Sequence, residues 1–92
     1  MKAEDALRRS EGHQILADTV RGLIIMSREA PANSSESEAF RLRFMPRDAK
    51  GQLNAEDAVA IGPYDDLDIA VTIAAIGYGV GETQWVPGQN LV

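Results

Sequence analysis

From residue 39 to residue 45, side chains alternate strictly between the two faces of an extended chain, and Pro46 ends the run. Phe40, Leu42 and Phe44 fall on one face of an extended segment, and arginines fall on the other. A period of two residues is typical of a strand with one buried face. A shorter alternating run over 57–62 predicts a second strand that pairs with the first as an antiparallel hairpin.

Hydrophobic residues in the first third of the chain recur at intervals of three and four, which favours a helix. The stripe comprises Leu16, Ala17, Val20, Leu23 and Ile24. We therefore expect a helical segment over 2–29, interrupted near Gly12 so that a short first helix precedes a longer one. The run 23–26 is equally compatible with a strand.

Residues 64–78 fit both a strand and a helix by periodicity alone, and the two ends of the segment decide between them. Pro63 is tolerated at a helix start, and Gly77 and Gly79 are natural helix ends. Three aspartates lie where a helix dipole stabilises negative charge, and aspartate is depleted in strands. The sequence therefore predicts a helix over 64–78.

That helix carries two apolar stripes rather than one. Ile69, Ile73 and Ile76 form the second stripe, beside the stripe that would pack on a sheet. We expect the helix to be covered on more than one side, or to meet another chain.

Together these elements predict an α+β fold in a single domain, 1–92. Its parts are a helical segment over 2–29, a loop over 30–38 and a hairpin, helix and strand unit over 39–88. A short C-terminal strand over 81–86 completes a small sheet that is covered by the helices.

Composition narrows the functional classes. The chain of 92 residues contains no cysteine, which excludes disulfides, thiol nucleophiles and zinc sites with sulfur ligands. The first ten residues do not resemble a secretory signal, and no apolar run approaches the ~20 residues of a membrane span. We expect a soluble, cytoplasmic protein without a cofactor and without a membrane role.

Charge is distributed unevenly along the chain. The net charge is −5, and all nine lysines and arginines lie in residues 1–50. Residues 51–92 contain six acidic residues and no basic one, so that half cannot neutralise its own negative field. Either the first half of the chain covers these carboxylates, or they attract a basic partner.

Asp65, Asp66 and Asp68 are the clearest candidate site. Their spacing does not match a calcium-binding loop, which needs alternate ligands, a central glycine and a distant glutamate. Helix capping is the favoured interpretation. Docking against lysine or arginine side chains of a partner is compatible with capping.

Two further motifs point weakly to catalysis or nucleotide binding. The glycines of residues 77–81 end a predicted helix, whereas a phosphate-binding loop precedes one. His13 is the only histidine, and Ser10 three residues before it and Asp18 five residues after it form only a weak catalytic pattern. The sequence therefore favours a non-enzymatic protein.

A basic segment raises the question of nucleic-acid binding. Arg41 and Arg43 precede Arg47 and Lys50, and phenylalanines are interleaved with the first two. Alternation points the rings away from the arginines, so bases could not stack beside those charges. The acidic net charge also argues against direct nucleic-acid binding.

These observations favour a small acidic protein-binding module, a regulator or inhibitor that docks on a basic, nucleic-acid-binding surface of a larger protein machine. A phage-encoded inhibitor of the anti-CRISPR kind is the most concrete version, on size and charge only. The alternative is a structural protein that forms a homo-oligomer through its apolar helix faces. The candidate partner-binding residues are Asp65, Asp66, Asp68, Tyr64, Glu56, Asp57 and Trp85.

Overall fold

A computed structural model of the chain describes residues 1–10, 14–29 and 39–88. It shows an α+β domain in which two helices accompany a five-stranded antiparallel sheet. In chain order the elements are α1 (Ala3–Arg9), β1 (Gln14–Asp18), β2 (Gly22–Glu29), β3 (Ala39–Pro46), a 3₁₀ turn (Ala55–Asp57), β4 (Val59–Tyr64), α2 (Leu67–Tyr78) and β5 (Val86–Pro87). The predicted fold class is confirmed.

The strands lie in the order β4-β3-β2-β1-β5. The longest pairing joins β2 to β3, with Gly22 opposite Pro46 and Glu29 opposite Ala39. The predicted hairpin is confirmed, because β3 covers the predicted residues and β4 pairs with it antiparallel. However, β4 begins two residues later than expected, since Asp57 belongs to the 3₁₀ turn that Asn54 caps.

The predicted longer helix in the segment 2–29 is wrong, and among the described residues of that segment only α1 is helical. Residues 14–29 instead form β1 and β2, joined by a turn in which the Thr19 hydroxyl donates to the Gly22 carbonyl. The same hydroxyl oxygen accepts hydrogen bonds from the backbone N–H groups of Arg21 and Gly22. Such side-chain bonds to the backbone favour a turn over a continuing helix.

One face of the sheet carries the hydrophobic core. Inward residues of β1, β2 and β3 pack against the buried faces of α1 and α2, which join them in a single cluster. The cluster comprises Ala3, Ala6, Leu7, Ile15, Ala17, Ile24, Met26, Phe40, Leu42, Ala70, Ala74, Val80 and Trp85. Because both helices contribute to this cluster, α2 is held with one side on the sheet and the other side outward.

The predicted second helix is confirmed as α2, with both of its ends marked by the expected residues. Asp66 is the N-cap, and Gly79 ends the helix in the left-handed conformation at φ 73°. The helix begins at Leu67 rather than at Tyr64, because Pro63 and Tyr64 complete β4.

The C-terminal strand exists but is shorter than predicted. Only Val86–Pro87 pairs with β1, so residues 81–85 of the predicted strand are not extended sheet. The backbone N–H of Trp85 instead donates to the carbonyl of Met1, two residues before α1 begins. No helix within the described part has the length and apolar character that crossing a membrane requires. Gly12, His13 and the predicted loop 30–38 lie outside the described residues.

Candidate functional site

Three exposed carboxylates, which we call the acidic head, lie where β4 gives way to α2. They are Asp65, Asp66 and Asp68. The Asp66 Oδ1 atom accepts a hydrogen bond from the Asp68 backbone N–H at 2.8 Å. The predicted capping role is therefore confirmed for Asp66, while the Asp65 side chain caps nothing in the described structure.

No lysine or arginine among the described residues forms an ion pair with the acidic head. The arginines and lysine that form ion pairs do so mainly with acids of the first half of the chain. These pairs join Arg8 to Glu4 and Asp5, Arg41 to Glu29, Arg47 to Asp18, and Lys2 to Glu82. None of these pairs includes a carboxylate of the acidic head, whose side chains are exposed, although Lys2 lines the same cleft as Asp68.

The outward side of α2 is apolar directly beyond the acidic head. Ile69 is 46% exposed and Ile76 is 80% exposed, with the half-buried Ile73 between them. We call these three residues the isoleucine face. Ala70 and Ala74 on the opposite side are fully buried against the sheet. After Asp68 the helix has no charged residue, so nothing on α2 itself shields the isoleucine face from a partner.

The far end of α2 carries a positive charge supplied by another element. The Arg21 Nη1 atom donates to the Gly77 carbonyl at 3.1 Å, and its guanidinium lies 6.0 Å from the centre of the Tyr78 ring. The Tyr78 ring in turn packs on Phe44 at 4.6 Å between ring centres. A cation at a helix C-terminus is stabilised by the helix dipole. The helix α2 therefore has an acidic N-terminal end and a C-terminal end at which Arg21 supplies a positive charge.

The structure separates the predicted site residues into different places. Glu56 and Asp57 lie in the 3₁₀ turn before β4, whereas the acidic head follows β4. A six-residue strand spans about 20 Å, so the two acidic groups are not one surface. The Asn54 side chain also donates to the Asp57 carboxylate at 2.8 Å, which gives Asp57 a local structural role.

The two aromatic candidates are not surface anchors. Trp85 has no exposed area and belongs to the core, so its prediction as a partner-binding residue is wrong. In a chain with five aromatic residues, burying the largest one contributes more to stability than exposing it would. Tyr64 is half-buried and packs against the same core, which leaves only part of its ring available.

Sequence reasoning missed Arg21 as a member of this surface. The residue was assigned to a helix, and nothing in the spacing of residues 21 and 77 indicates that they meet. Only the turn between β1 and β2 brings the guanidinium to the end of α2. Gly22 was a signal in the sequence for a turn at this point, because glycine is typical of turns.

The basic segment behaves as its alternation predicts. Phe40 is buried in the core, while Arg41 pairs with Glu29 at 2.7 Å and Arg43 is exposed on the other face of β3. The phenylalanine rings and the arginines therefore lie on opposite faces of the sheet, and no base could stack on the rings beside these charges.

The side chains of the acidic head and the isoleucine face determine what this surface can bind. Its carboxylates accept hydrogen bonds from lysine or arginine, and its isoleucines offer apolar area to a partner. Within residues 1–10, 14–29 and 39–88, no group of three histidine, cysteine or acidic side chains is placed to hold a metal ion.

Comparison with known proteins leaves the site to be interpreted from its own geometry. Protein-family models, curated proteins and solved structures yield no match to this chain.

Within the acidic head, capping and charge are separable by single substitutions. Asp66→Ala is expected to lower the free energy of unfolding by about 0.5–2 kcal/mol, because the helix loses its capping acceptor. Asp65→Ala is expected to change it by less than about 0.5 kcal/mol, since this exposed side chain makes no such bond. Urea unfolding followed by circular dichroism measures both, and equal losses would contradict the separation of roles.

Proposed function

We propose that this protein is a non-catalytic protein-binding module that docks through the acidic head and the adjoining isoleucine face onto a basic surface of another protein. The observation that carries the proposal is the exposure of three carboxylates without a basic partner in the described structure, directly beside the exposed Ile69. Charge steers a partner to this surface, and the apolar area next to it supplies affinity once water is excluded.

The partner is best described by its chemistry. A surface that presents several lysines or arginines around an apolar patch would complement both zones of α2. Nucleic-acid-binding surfaces of larger protein machines have this character. The protein would then act as a regulator or inhibitor by occupying that surface. In its most specific form, the proposal is that the protein is a phage-encoded inhibitor of the anti-CRISPR kind.

The proposal is tested by affinity capture from the native host with the wild-type chain and the triple variant Asp65→Asn, Asp66→Asn, Asp68→Asn. We expect the wild type to retain a partner with a basic surface. The triple variant should capture at least ten-fold less of that partner. Retention by the wild type should also fall as salt is raised, because exposed charges are screened.

A matched control removes the same kind of charge at the other end of β4. The variant Glu56→Gln, Asp57→Asn should retain the partner at the wild-type level, provided that thermal unfolding shows both variants folded. Equal capture by the wild type and the triple variant would exclude the acidic head as the docking surface. Loss of the partner by the control variant alone would show that the docking surface is at the 3₁₀ turn.

A further inference from the structure

We infer that the isoleucine face is also the contact between two copies of this chain, which pair through α2 in antiparallel orientation about a two-fold axis. The inference does not depend on the docking proposal, and because both use the same surface, a second copy and a basic partner would compete for it. It rests on the spacing of the exposed isoleucines and on the opposite charges at the two ends of the helix.

The spacing is that of a helix–helix seam. Ile69, Ile73 and Ile76 are separated by four and then three residues, which places them in one line over two turns. Ile69 and Ile76 are 46% and 80% exposed, whereas Ile73 between them is half-buried and packs partly against the core, so the two ends of the line are uncovered in the described structure. A second helix with the same spacing can interlock its side chains with these.

Charge complementarity selects a second copy in antiparallel orientation. With a two-fold axis beside Thr72 and Ile73, Ile69 of one copy lies opposite Ile76 of the other. The acidic head then lies beside the end of the second helix where Arg21 donates to the Gly77 carbonyl. A parallel pair would instead bring two acidic heads together with no base between them, which is unfavourable.

Such a pair follows the rule for closed dimers. In a two-fold interface the same patch serves both copies, and each contact occurs twice. Here the two contacts between the acidic head and Arg21 flank one apolar centre. A seam of only two turns predicts weak association, so the pair should form at high rather than low protein concentration.

The orientation is tested by single cysteine variants of the full chain, which has no native cysteine. Disulfides require Cα atoms about 4.4–6.8 Å apart. Ile73→Cys lies next to the two-fold axis and should form disulfide-linked dimers on oxidation. In the antiparallel pair, Ile69 of one copy lies about 10 Å along the helix axis from Ile69 of the other copy, and the same holds for Ile76. Ile69→Cys and Ile76→Cys should therefore crosslink well only when the two variants are mixed.

Random collision is measured by Val86→Cys, because Val86 is 44% exposed and pairs with Leu16 on the face of the sheet opposite the helices. Crosslinking of Ile73→Cys at least ten-fold faster than of Val86→Cys supports the seam. Equal rates would overturn self-association through α2. Fast crosslinking of Ile69→Cys and Ile76→Cys with themselves would overturn the antiparallel orientation.

The charge contacts are tested in the Ile73→Cys background. Arg21→Glu should slow the crosslinking several-fold, and adding Asp65→Lys should restore much of the rate, because the opposite charges are exchanged between the two ends. An unchanged rate in the Arg21→Glu variant would overturn the contact between the acidic head and Arg21, and thermal unfolding of each variant shows that the monomer remains folded.

Discussion

Replacing Trp85 with alanine is expected to lower the free energy of unfolding by about 3–5 kcal/mol. The side chain has no exposed area and is the largest buried one in the described structure. It lies where the segment before β5 meets α1, and its backbone N–H donates to the Met1 carbonyl. A domain of this size has a total stability of about 5–14 kcal/mol, so the loss is a large part of it. Urea unfolding followed by circular dichroism measures the effect.

A phenylalanine at the same position is the informative control. The Trp85 Nε1 atom has no hydrogen-bond partner in the described structure, so Trp85→Phe removes no such bond. We expect Trp85→Phe to cost clearly less than Trp85→Ala, because most of the aromatic area stays buried. A Trp85→Ala variant within about 1 kcal/mol of the wild type would contradict the central place of this residue in the core.

The second large effect is expected at the start of β2. A Cβ atom on Gly22 would clash with the Met45 carbonyl oxygen and lie 2.8 Å from the nearest atom of the Phe44 ring. Backbone atoms of β3 would have to move, which breaks the pairing of Gly22 with Pro46. We expect Gly22→Ala to lower the free energy of unfolding by about 1–3 kcal/mol, as overpacking usually does, measured in the same urea experiment.

Gly77 provides the matched control, because the same substitution there should have the opposite sign. A Cβ atom on Gly77 meets nothing within 4 Å, and the residue lies within α2. Alanine is the better helix former by about 1 kcal/mol, so Gly77→Ala is expected to stabilise the protein modestly. Stabilisation by Gly22→Ala would show that β2 and β3 do not approach as closely as described.

The fold could be predicted where one face of an element is apolar and its ends are marked. The alternation around Leu42 defines β3, and the aspartate cap and the glycine end define α2. Residues 14–29 were mistaken for a helix because both faces of β1 and β2 carry apolar residues. Leu16 pairs with Ile25 on the outer face, and this removes the period of two that identifies a strand.

The site could be predicted only in part. The charge imbalance and the two stripes of α2 identified the acidic head and the isoleucine face from the sequence. Burial of Trp85 and the approach of Arg21 to Gly77 depend on contacts between residues far apart in the chain. No local pattern indicates such contacts, so the aromatic candidate was wrong and the basic end of the surface was missed.

The outward side of α2 connects these results with the two proposals. A buried helix face normally leaves polar residues outward, yet here the outward line holds isoleucines between an acidic and a basic end. Exposed apolar residues at helical spacing, rimmed by charge, are typical of a protein-binding surface. Both a basic partner and a second copy would cover this surface.

The most direct test places a photoreactive benzoylphenylalanine at Ile76 or, as a control, at Val86, in the chain expressed in its native host. Both positions are exposed, but Ile76 lies on α2 whereas Val86 lies on the face of the sheet opposite the helices. We predict covalent adducts at Ile76, either with a second copy of the chain or with a partner of basic surface, that are absent at Val86. The same adducts at both positions, or none at Ile76, would contradict the assignment of α2 as the binding surface.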